Sequence, residues 1–201
     1  MRNELFDLWE RLHGRGAAFN SNVRNDWTSL SERYGARREA ARRYAWAVPS
    51  DAALDALAGL SPIIEVGAGT GYWAALLRDR GVDVLAFDIA PRDPANHHHG
   101  DSPLWTNVER ADAEVAGLHP DRTLFLCWPP YDEPMGATAL RAYIAAGGHT
   151  LVYIGEGEGG CTANDDFHQL LDSLELVREI DLPQWDGIHD YMGIYRIVRH
   201  G

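Results

Sequence analysis

A short apolar run that leads into closely spaced glycines constrains the fold of this chain more than any other feature. Residues 63–71 read IIEVGAGTG, and a helical pattern of apolar residues follows from Tyr72. This order predicts a strand, a tight turn and a helix. Glycine permits turn conformations that a side chain forbids, and it lets a ligand lie against bare backbone amides at the start of the helix.

The spacing of the glycines separates two classes of ligand. A dinucleotide-binding turn reads G-x-G-x-x-G, which after Gly67 and Gly69 requires a glycine at the position of Tyr72. A nicotinamide-dependent oxidoreductase is therefore a weaker alternative. The observed E-x-G-x-G-x-G resembles the first motif of the class I S-adenosylmethionine (SAM)-dependent methyltransferases. This resemblance implies that the turn lies under the amino acid and the ribose of SAM.

A second apolar strand ends in a carboxylate. Residues 82–89 read VDVLAFDI, and one predicted helix, from Tyr72 to about Arg80, separates them from the glycine turn. A carboxylate at a strand tip can accept two hydrogen bonds from a ribose diol, so Asp88 is the predicted ribose ligand. The resemblance further implies that Ile89 lies on the adenine face and that Asp112, in a third element at 108–113, accepts the adenine amino group.

The resemblance covers about residues 61–199 and implies a Rossmann-like doubly wound α/β sheet. This sheet is mostly parallel and ends in an antiparallel pair, residues 174–182 and 191–198, which alternate apolar and polar side chains. We expect residues 1–60 to form an N-terminal helical extension and residues 61–201 the core of one domain. The residues assigned to SAM, or to its product S-adenosylhomocysteine, are Glu65, Gly67, Ala68, Gly69, Gly71, Asp88, Ile89, Asp112 and Cys127.

The fourth predicted strand marks the side of the methyl acceptor. Residues 123–131 read TLFLCWPPY, in which two prolines stop a buried strand. Amino-group methyltransferases carry Asp, Asn or Ser before Pro-Pro-Tyr, whereas this chain has Trp128, which offers a donor and no acceptor. This difference opposes methylation of a nucleobase amine. Trp128, Pro129, Pro130 and Tyr131 still predict a rigid, aromatic-walled substrate pocket.

A base is needed only if the acceptor arrives protonated. His189, in the loop that joins the last two strands, is the first candidate because histidine ordinarily titrates near neutrality. His168, on a helix predicted to begin near Asn164, is the second, and Glu156, in a glycine-rich loop with Glu158, is the third. Tyr131 completes the catalytic candidates. A surface or structural role stays open for each histidine, and Glu156 and Glu158 are also candidates for binding a cationic or hydroxylated substrate.

The N-terminal segment predicts helices with one apolar stripe, formed by Leu5, Leu8, Trp9 and Leu12. Tyr44 and Trp46 are candidates for a lid over the active site, with an ordinary core role as the alternative. His97, His98 and His99 lie in a predicted loop. Adjacent residues on an extended backbone point in alternate directions, so we expect no metal site there, and a solvated or substrate-facing loop instead.

Charge and composition limit the partners. The chain has 201 residues and a formal net charge of −12, which disfavours nucleic acid unless positive charge gathers on one face. The candidate face carries arginines 33, 37, 38, 42 and 43, for which a solvated helix face is the favoured interpretation. Two cysteines, Cys127 and Cys161, make no disulfide framework or zinc cluster, and no apolar run approaches the roughly 20 residues of a membrane span. We expect a cytoplasmic protein without a signal peptide or a membrane partner.

The sequence therefore predicts a SAM-dependent methyltransferase that acts on an oxygen or nitrogen of a small molecule. Two alternatives stay open. One is methylation of an exocyclic amine of a nucleobase or nucleotide, and the other is a SAM-binding regulatory protein without catalysis.

Overall fold

A computed structural model describes residues 1–14, 27–91, 93–96, 98–100 and 102–198, with the backbone alone for residues 27–33. Seven strands form one sheet in the order β3-β2-β1-β4-β5-β7-β6. Neighbouring strands from β3 to β5 are parallel, whereas β7 is antiparallel to both β5 and β6. The strands are β1 Ile63–Val66, β2 Val84–Asp88, β3 Glu109–Arg110, β4 Thr123–Cys127, β5 Thr150–Gly155, β6 Glu175–Asp181 and β7 Tyr191–Arg196.

Helices cover both faces of the sheet. They are α1 Glu4–His13, α2 Trp27–Arg43, α3 Asp51–Ala58, α4 Tyr72–Asp79, α5 Met135–Ala146, α6 Asp165–Asp172 and a short 3₁₀ helix at Ala113–Leu118. Successive residues of a strand point to opposite faces, so Ile63 packs with α1, α3 and α4, while Ile64 packs with α5 and α6. The predicted Rossmann-like doubly wound sheet with an antiparallel C-terminal pair is confirmed.

The N-terminal helices share a hydrophobic core with one face of the sheet. Leu5 and Trp9 of the predicted stripe are fully buried in that core, and the Trp9 indole donates to the carbonyl of Gln184 at 2.9 Å. Ser50 caps α3 by accepting a hydrogen bond from the amide of Ala53 at 3.2 Å. None of the helices within the described residues combines the length and apolarity required to cross a membrane.

Candidate functional site

A cavity of about 400 Å³ opens at the carboxyl ends of β1, β2 and β4. In an open parallel sheet this edge is where ligands bind. The predicted site residues that line the cavity are Glu65, Gly67, Ala68, Gly69, Asp88, Ile89, Asp112, Cys127, Trp128 and Pro130. The structure thus brings together nearly all of the predicted cofactor side and part of the predicted acceptor side.

The glycine turn forms the floor of this cavity. Gly67 has a φ of 75°, and a Cβ built on it would lie 2.5 Å from Cε of Met135. Gly71 has a φ of 74° and precedes α4, and its Cβ would lie 2.7 Å from Cγ2 of Val108. Both positions therefore require glycine for conformation and for space. Gly71 does not line the cavity, so its contribution is to place the start of α4 rather than to touch a ligand.

Asp88 is held in a fixed orientation at the tip of β2. Its Oδ2 accepts a hydrogen bond from the amide of Gly69 at 2.9 Å, and its Oδ1 accepts one from the amide of Ala90 at 2.9 Å. Each carboxylate oxygen can accept a second hydrogen bond. The hydrogen bond from Gly69 also connects the glycine turn to the end of β2. Asp112, immediately before the 3₁₀ helix, makes no side-chain capping bond.

Glu65 is a buried carboxyl group with an unused oxygen. Its Oε2 has no hydrogen-bond partner among the described residues, although the side chain lines the cavity. Burial raises the pKa of Glu65 to about 8, against the opposing effect of Arg78. The group is therefore mostly neutral at pH 7, and a cation placed beside it in the cavity would favour its ionised form.

The segment after α2 forms part of the cavity lining. Tyr44, Ala45 and Trp46 line it, and the Thr70 hydroxyl of the glycine turn donates to the carbonyl of Tyr44. Trp105 strengthens this connection, because its amide donates to the carbonyl of Thr70 at 2.9 Å and its indole donates to the carbonyl of Arg43 at 2.7 Å. The two aromatics predicted as candidates for a lid thus line the cavity, and the backbone of Tyr44 is attached to the glycine turn.

Trp128 adopts an unusual backbone conformation at the end of β4. Its φ is 54°, a left-handed value that is rare for a bulky side chain and often marks a functional site. The indole stacks on Trp46 with ring centroids 5.5 Å apart, and its Nε1 donates to Oδ2 of Asp190 at 3.0 Å. The guanidinium carbon of Arg37 lies 5.4 Å from the Trp128 ring centroid. The indole donor noted in the sequence is therefore already used within the protein.

Asp190 lies outside both spaces but accepts a hydrogen bond from Trp128 of the cavity wall, a positioning role that the sequence interpretation missed. Its side chain is almost fully buried and its Oδ1 has no hydrogen-bond partner among the described residues. Burial raises the pKa of Asp190 to about 6, against the hydrogen bond from Trp128. Residue type favours the neighbouring His189 instead. No local pattern distinguishes Asp190, because it is buried where β7 inserts beside β5 and its hydrogen-bond partner Trp128 is distant in the sequence.

Three of the predicted catalytic residues line a second, shallower groove instead of the cavity. They are Tyr131, Glu156 and His189. Tyr131 is 66% exposed, and the side chain of His189 is 72% exposed. Pro129 lines neither space; its carbonyl accepts a hydrogen bond from the amide of Ala163 at 2.8 Å. Segment 128–131 borders both spaces, since Pro130 lines the cavity and Tyr131 the groove.

Glu156 already has several partners. Its Oε1 accepts from the amide of His189 at 2.8 Å, and its Oε2 accepts from the amide and the thiol of Cys161, each at 2.9 Å. Burial raises the pKa of Glu156, but the hydrogen bonds from Cys161 and His189 outweigh burial and hold that pKa below its ordinary value. The carboxylate therefore fixes the loop that carries His189, whose Nδ1 lies 3.6 Å from Oε1.

His168 lies outside both spaces. It is buried on α6, and its Nε2 lies 2.9 Å from the carbonyl oxygen of Thr162. This hydrogen bond accounts for the buried ring. The helix itself begins as predicted, with Asn164 accepting from the amide of Phe167. The placement does not support His168 as a base, because it reaches neither the cavity nor the groove.

The histidine loop contributes to the cavity. His98 and His99 line it, whereas His97 lies outside the described residues. His99 is only 4% exposed, and neither ring nitrogen has a hydrogen-bond partner among the described residues. Within the described ranges, histidine, cysteine, aspartate and glutamate side chains form no group of three or more that could hold a metal ion.

Comparisons with known proteins give similar folds at low sequence identity. No protein-family model and no curated protein matches the chain. Magnesium protoporphyrin IX methyltransferase (ChlM) from Synechocystis PCC 6803 with bound SAM has 16% identity and a TM-score of 0.47, covering 95% of this chain and 90% of its own. The N-methyltransferase NodS from Bradyrhizobium japonicum WM9 has 15% identity and a TM-score of 0.45, and the match covers 71% of this chain and 91% of NodS. These values are too low to support a conclusion about activity.

Proposed function

We propose that this chain is a SAM-dependent methyltransferase that transfers a methyl group to an oxygen or nitrogen of a small molecule. One observation carries the proposal. The glycine turn, the carboxylate of Asp88 and the carboxyl of Glu65, with its one unpaired oxygen, line one cavity at the carboxyl edge of a doubly wound sheet. That set combines bare amides, an acceptor for a diol and a partner for a cation.

The residues of the cavity fit SAM group by group. Asp88 keeps free lone pairs for the ribose hydroxyls, and Asp112 and Ile89 line the same cavity for the adenine. Glu65 would pair with the ammonium of the amino acid, which would satisfy its unused oxygen and favour its ionisation. Cys127 adds an apolar wall, because burial raises the pKa of its thiol well above the ordinary value.

When bound, SAM supplies a methyl group on a sulfonium that is already electrophilic. The chain then has to hold the acceptor in line with that methyl and exclude water. The stacked rings of Trp46 and Trp128 wall the cavity on the acceptor side, with Pro130 and Met135 beside them. We propose that the acceptor approaches from the groove that Tyr131, Glu156 and His189 line.

His189 remains our proposed base. Its imidazole is exposed in the groove, and the backbone contact with Glu156 holds its position. Glu156 itself is assigned a positioning role, because both of its oxygens accept hydrogen bonds within the protein. Glu156 and Glu158 make this groove acidic, which favours a cationic or hydroxylated acceptor over a polyphosphate.

One observation favours a second candidate, methylation of a nucleobase or nucleotide amine. Arg38, Arg42 and Arg43 line one shallow groove with Trp105, so positive charge is gathered on this face of an otherwise acidic chain. The donor geometry of Trp128 opposes this candidate. Its indole N–H already donates a hydrogen bond to Asp190. The Trp128 side chain has no acceptor that could hold an amine at the end of β4.

Calorimetric titration with SAM, S-adenosylhomocysteine and NAD tests the cofactor. We expect the wild type to bind the first two and not NAD. Asp88→Ala should weaken that binding at least about thirtyfold, because two charge-assisted hydrogen bonds are lost. Asp172→Ala, an exposed aspartate outside the cavity, is the matched control. Preferential binding of NAD, or equal SAM affinity in both variants, would contradict the proposal.

Turnover is tested with a labelled methyl donor and a panel of small acceptors, nucleosides and tRNA. We expect activity on a small acceptor, and a loss of turnover with retained SAM binding in His189→Ala and Tyr131→Phe. Activity confined to nucleosides or tRNA would favour the second candidate. SAM binding without turnover on any acceptor would favour a regulatory SAM-binding protein.

A further inference from the structure

Among the described residues, those that line the cavity include several carboxyl groups and no permanently charged cation. Its acidic side chains are Glu65, Asp88, Asp112, Glu114 and Glu133. The chain contains 18 arginines and no lysine, and no arginine lies among the described residues that line the cavity. A ligand carboxylate in this cavity would therefore meet like charges unless another group receives it.

Two histidines, His98 and His99, are the described residues of this lining whose side chains have a cationic form. Of the two, only His99 is buried. Both of its ring nitrogens lack partners among the described residues. A buried polar group without a hydrogen bond is unfavourable, so this position indicates a ligand that supplies one. His98 also lines the cavity, but its side chain is exposed to solvent.

The His99 ring lies against the glycine turn and its backbone is fixed. Its Cδ2 would lie 3.7 Å from a Cβ built on Gly69, the residue whose amide bonds to Asp88. The carbonyl of His99 accepts from the amide of Ser102 at 3.1 Å, and the amide of Gly100 donates to the carbonyl of Asn96 at 2.9 Å. These turn contacts hold the ring over the floor of the cavity.

Trp73 is a second buried donor in the described lining. Its indole Nε1 is buried and has no hydrogen-bond partner among the described residues. A neutral indole can donate one hydrogen bond but cannot compensate a charge. An imidazole can donate a hydrogen bond from either ring nitrogen and, unlike an indole, has a cationic form.

We propose that His99 binds the α-carboxylate of the amino-acid part of SAM through a ring N–H. The inference rests on the proposed function, because it takes SAM as the ligand. The carboxyl side chains of the cavity suit the ammonium, the sulfonium and the ribose hydroxyls, whereas the carboxylate is the one anionic group of SAM. His99 gives that group a charge-assisted partner.

The test compares SAM with decarboxylated SAM, which keeps the adenosyl sulfonium and the amine but lacks the carboxylate. Calorimetry with the wild type, His99→Phe and His99→Gln gives the affinity for each compound. We expect the wild type to prefer SAM at least about tenfold. His99→Phe should remove that preference by weakening SAM alone, and His99→Gln, which keeps a donor, should retain part of it. His98→Gln and Trp73→Phe are the controls and should keep the full preference.

Each outcome decides one question. If the wild type binds neither compound, the proposed function fails. If the wild type binds both equally, or if His99→Phe weakens both by the same factor, the assignment of His99 fails while the cofactor stands. Loss of the preference in Trp73→Phe instead would also overturn it. Thermal unfolding confirms that the variants are folded. If His99→Phe does not fold, the preference in the wild type and in His99→Gln still decides the assignment.

Discussion

Glu65 makes the stability of the empty protein depend on pH, and Glu65→Gln should remove that dependence. Burial raises the pKa of this carboxyl from 4.5 to about 8 in the folded state. The folded chain therefore holds a proton that the unfolded chain has already released. The stabilisation from this proton is complete below about pH 4.5 and is lost as the pH rises through about 8.

The size of the effect follows from the two pKa values. Between them, the free energy of unfolding falls by about 1.4 kcal/mol per pH unit, to a total of about 5 kcal/mol. From about pH 5.5 to about pH 7.5 the loss is about 3 kcal/mol. Glutamine has the shape of the protonated acid and does not ionise. The variant should therefore gain about that much stability relative to the wild type over the same interval.

Urea unfolding without ligand measures this difference at both pH values. With a slope of about 2 kcal/mol per molar, the midpoint of Glu65→Gln should move by about 1.5 M relative to the wild type. Glu158→Gln, in the exposed loop after β5, is the matched control and should show no such change. A difference between Glu65→Gln and the wild type that is the same at both pH values would refute the reasoning.

Three further predictions concern stability and are read from the same unfolding experiment. Gly71→Ala should cost about 2–4 kcal/mol, because its φ is 74° and the new Cβ would lie 2.7 Å from Val108. Gly81→Ala, with a φ of 79° and open space around it, should cost only about 1 kcal/mol. Equal losses of stability in the two variants would show that the contact with Val108 contributes nothing. Asp190 has its pKa raised to about 6 by burial, so its stabilisation is present below its ordinary pKa of 3.8 and is lost as the pH rises through about 6. Asp190→Asn should abolish that loss. The comparison is made in the Glu65→Gln variant, and a stability of Glu65→Gln that is flat from about pH 4 to about pH 6.5 would contradict the prediction. Ser50→Ala removes the cap of α3 and should cost about 1 kcal/mol, whereas no change would mean that the 3.2 Å bond to Ala53 contributes nothing.

The sequence predicts the parts of this molecule that local patterns encode. The strand before Gly67, the helix after Gly71 and the strand that ends at Asp88 were all predicted, because apolar periodicity and glycine conformation act over a few residues. The third element is shorter than expected, with β3 limited to Glu109–Arg110. Its two exposed residues pair with one strand only and have little apolar surface to extend the pairing.

The residues that sequence patterns could not identify depend on long-range packing. His99 becomes a cavity residue because the loop after β2 folds back over the glycine turn, and Asp190 becomes buried because β7 inserts beside β5. Neither event leaves a local pattern. His168 shows the reverse case, since residue type made it a catalytic candidate and a bond to Thr162 accounts for its position.

The short segment 128–131 has a consequence for how acceptor preference can diverge. Its successive side chains face different spaces, with Trp128 and Pro130 on the cavity and Tyr131 on the groove. Substitutions at Tyr131 can therefore alter what approaches from outside while the inner wall keeps its shape. Under the proposed function, a chain built this way can exchange one substrate for another without rebuilding the cavity proposed for SAM.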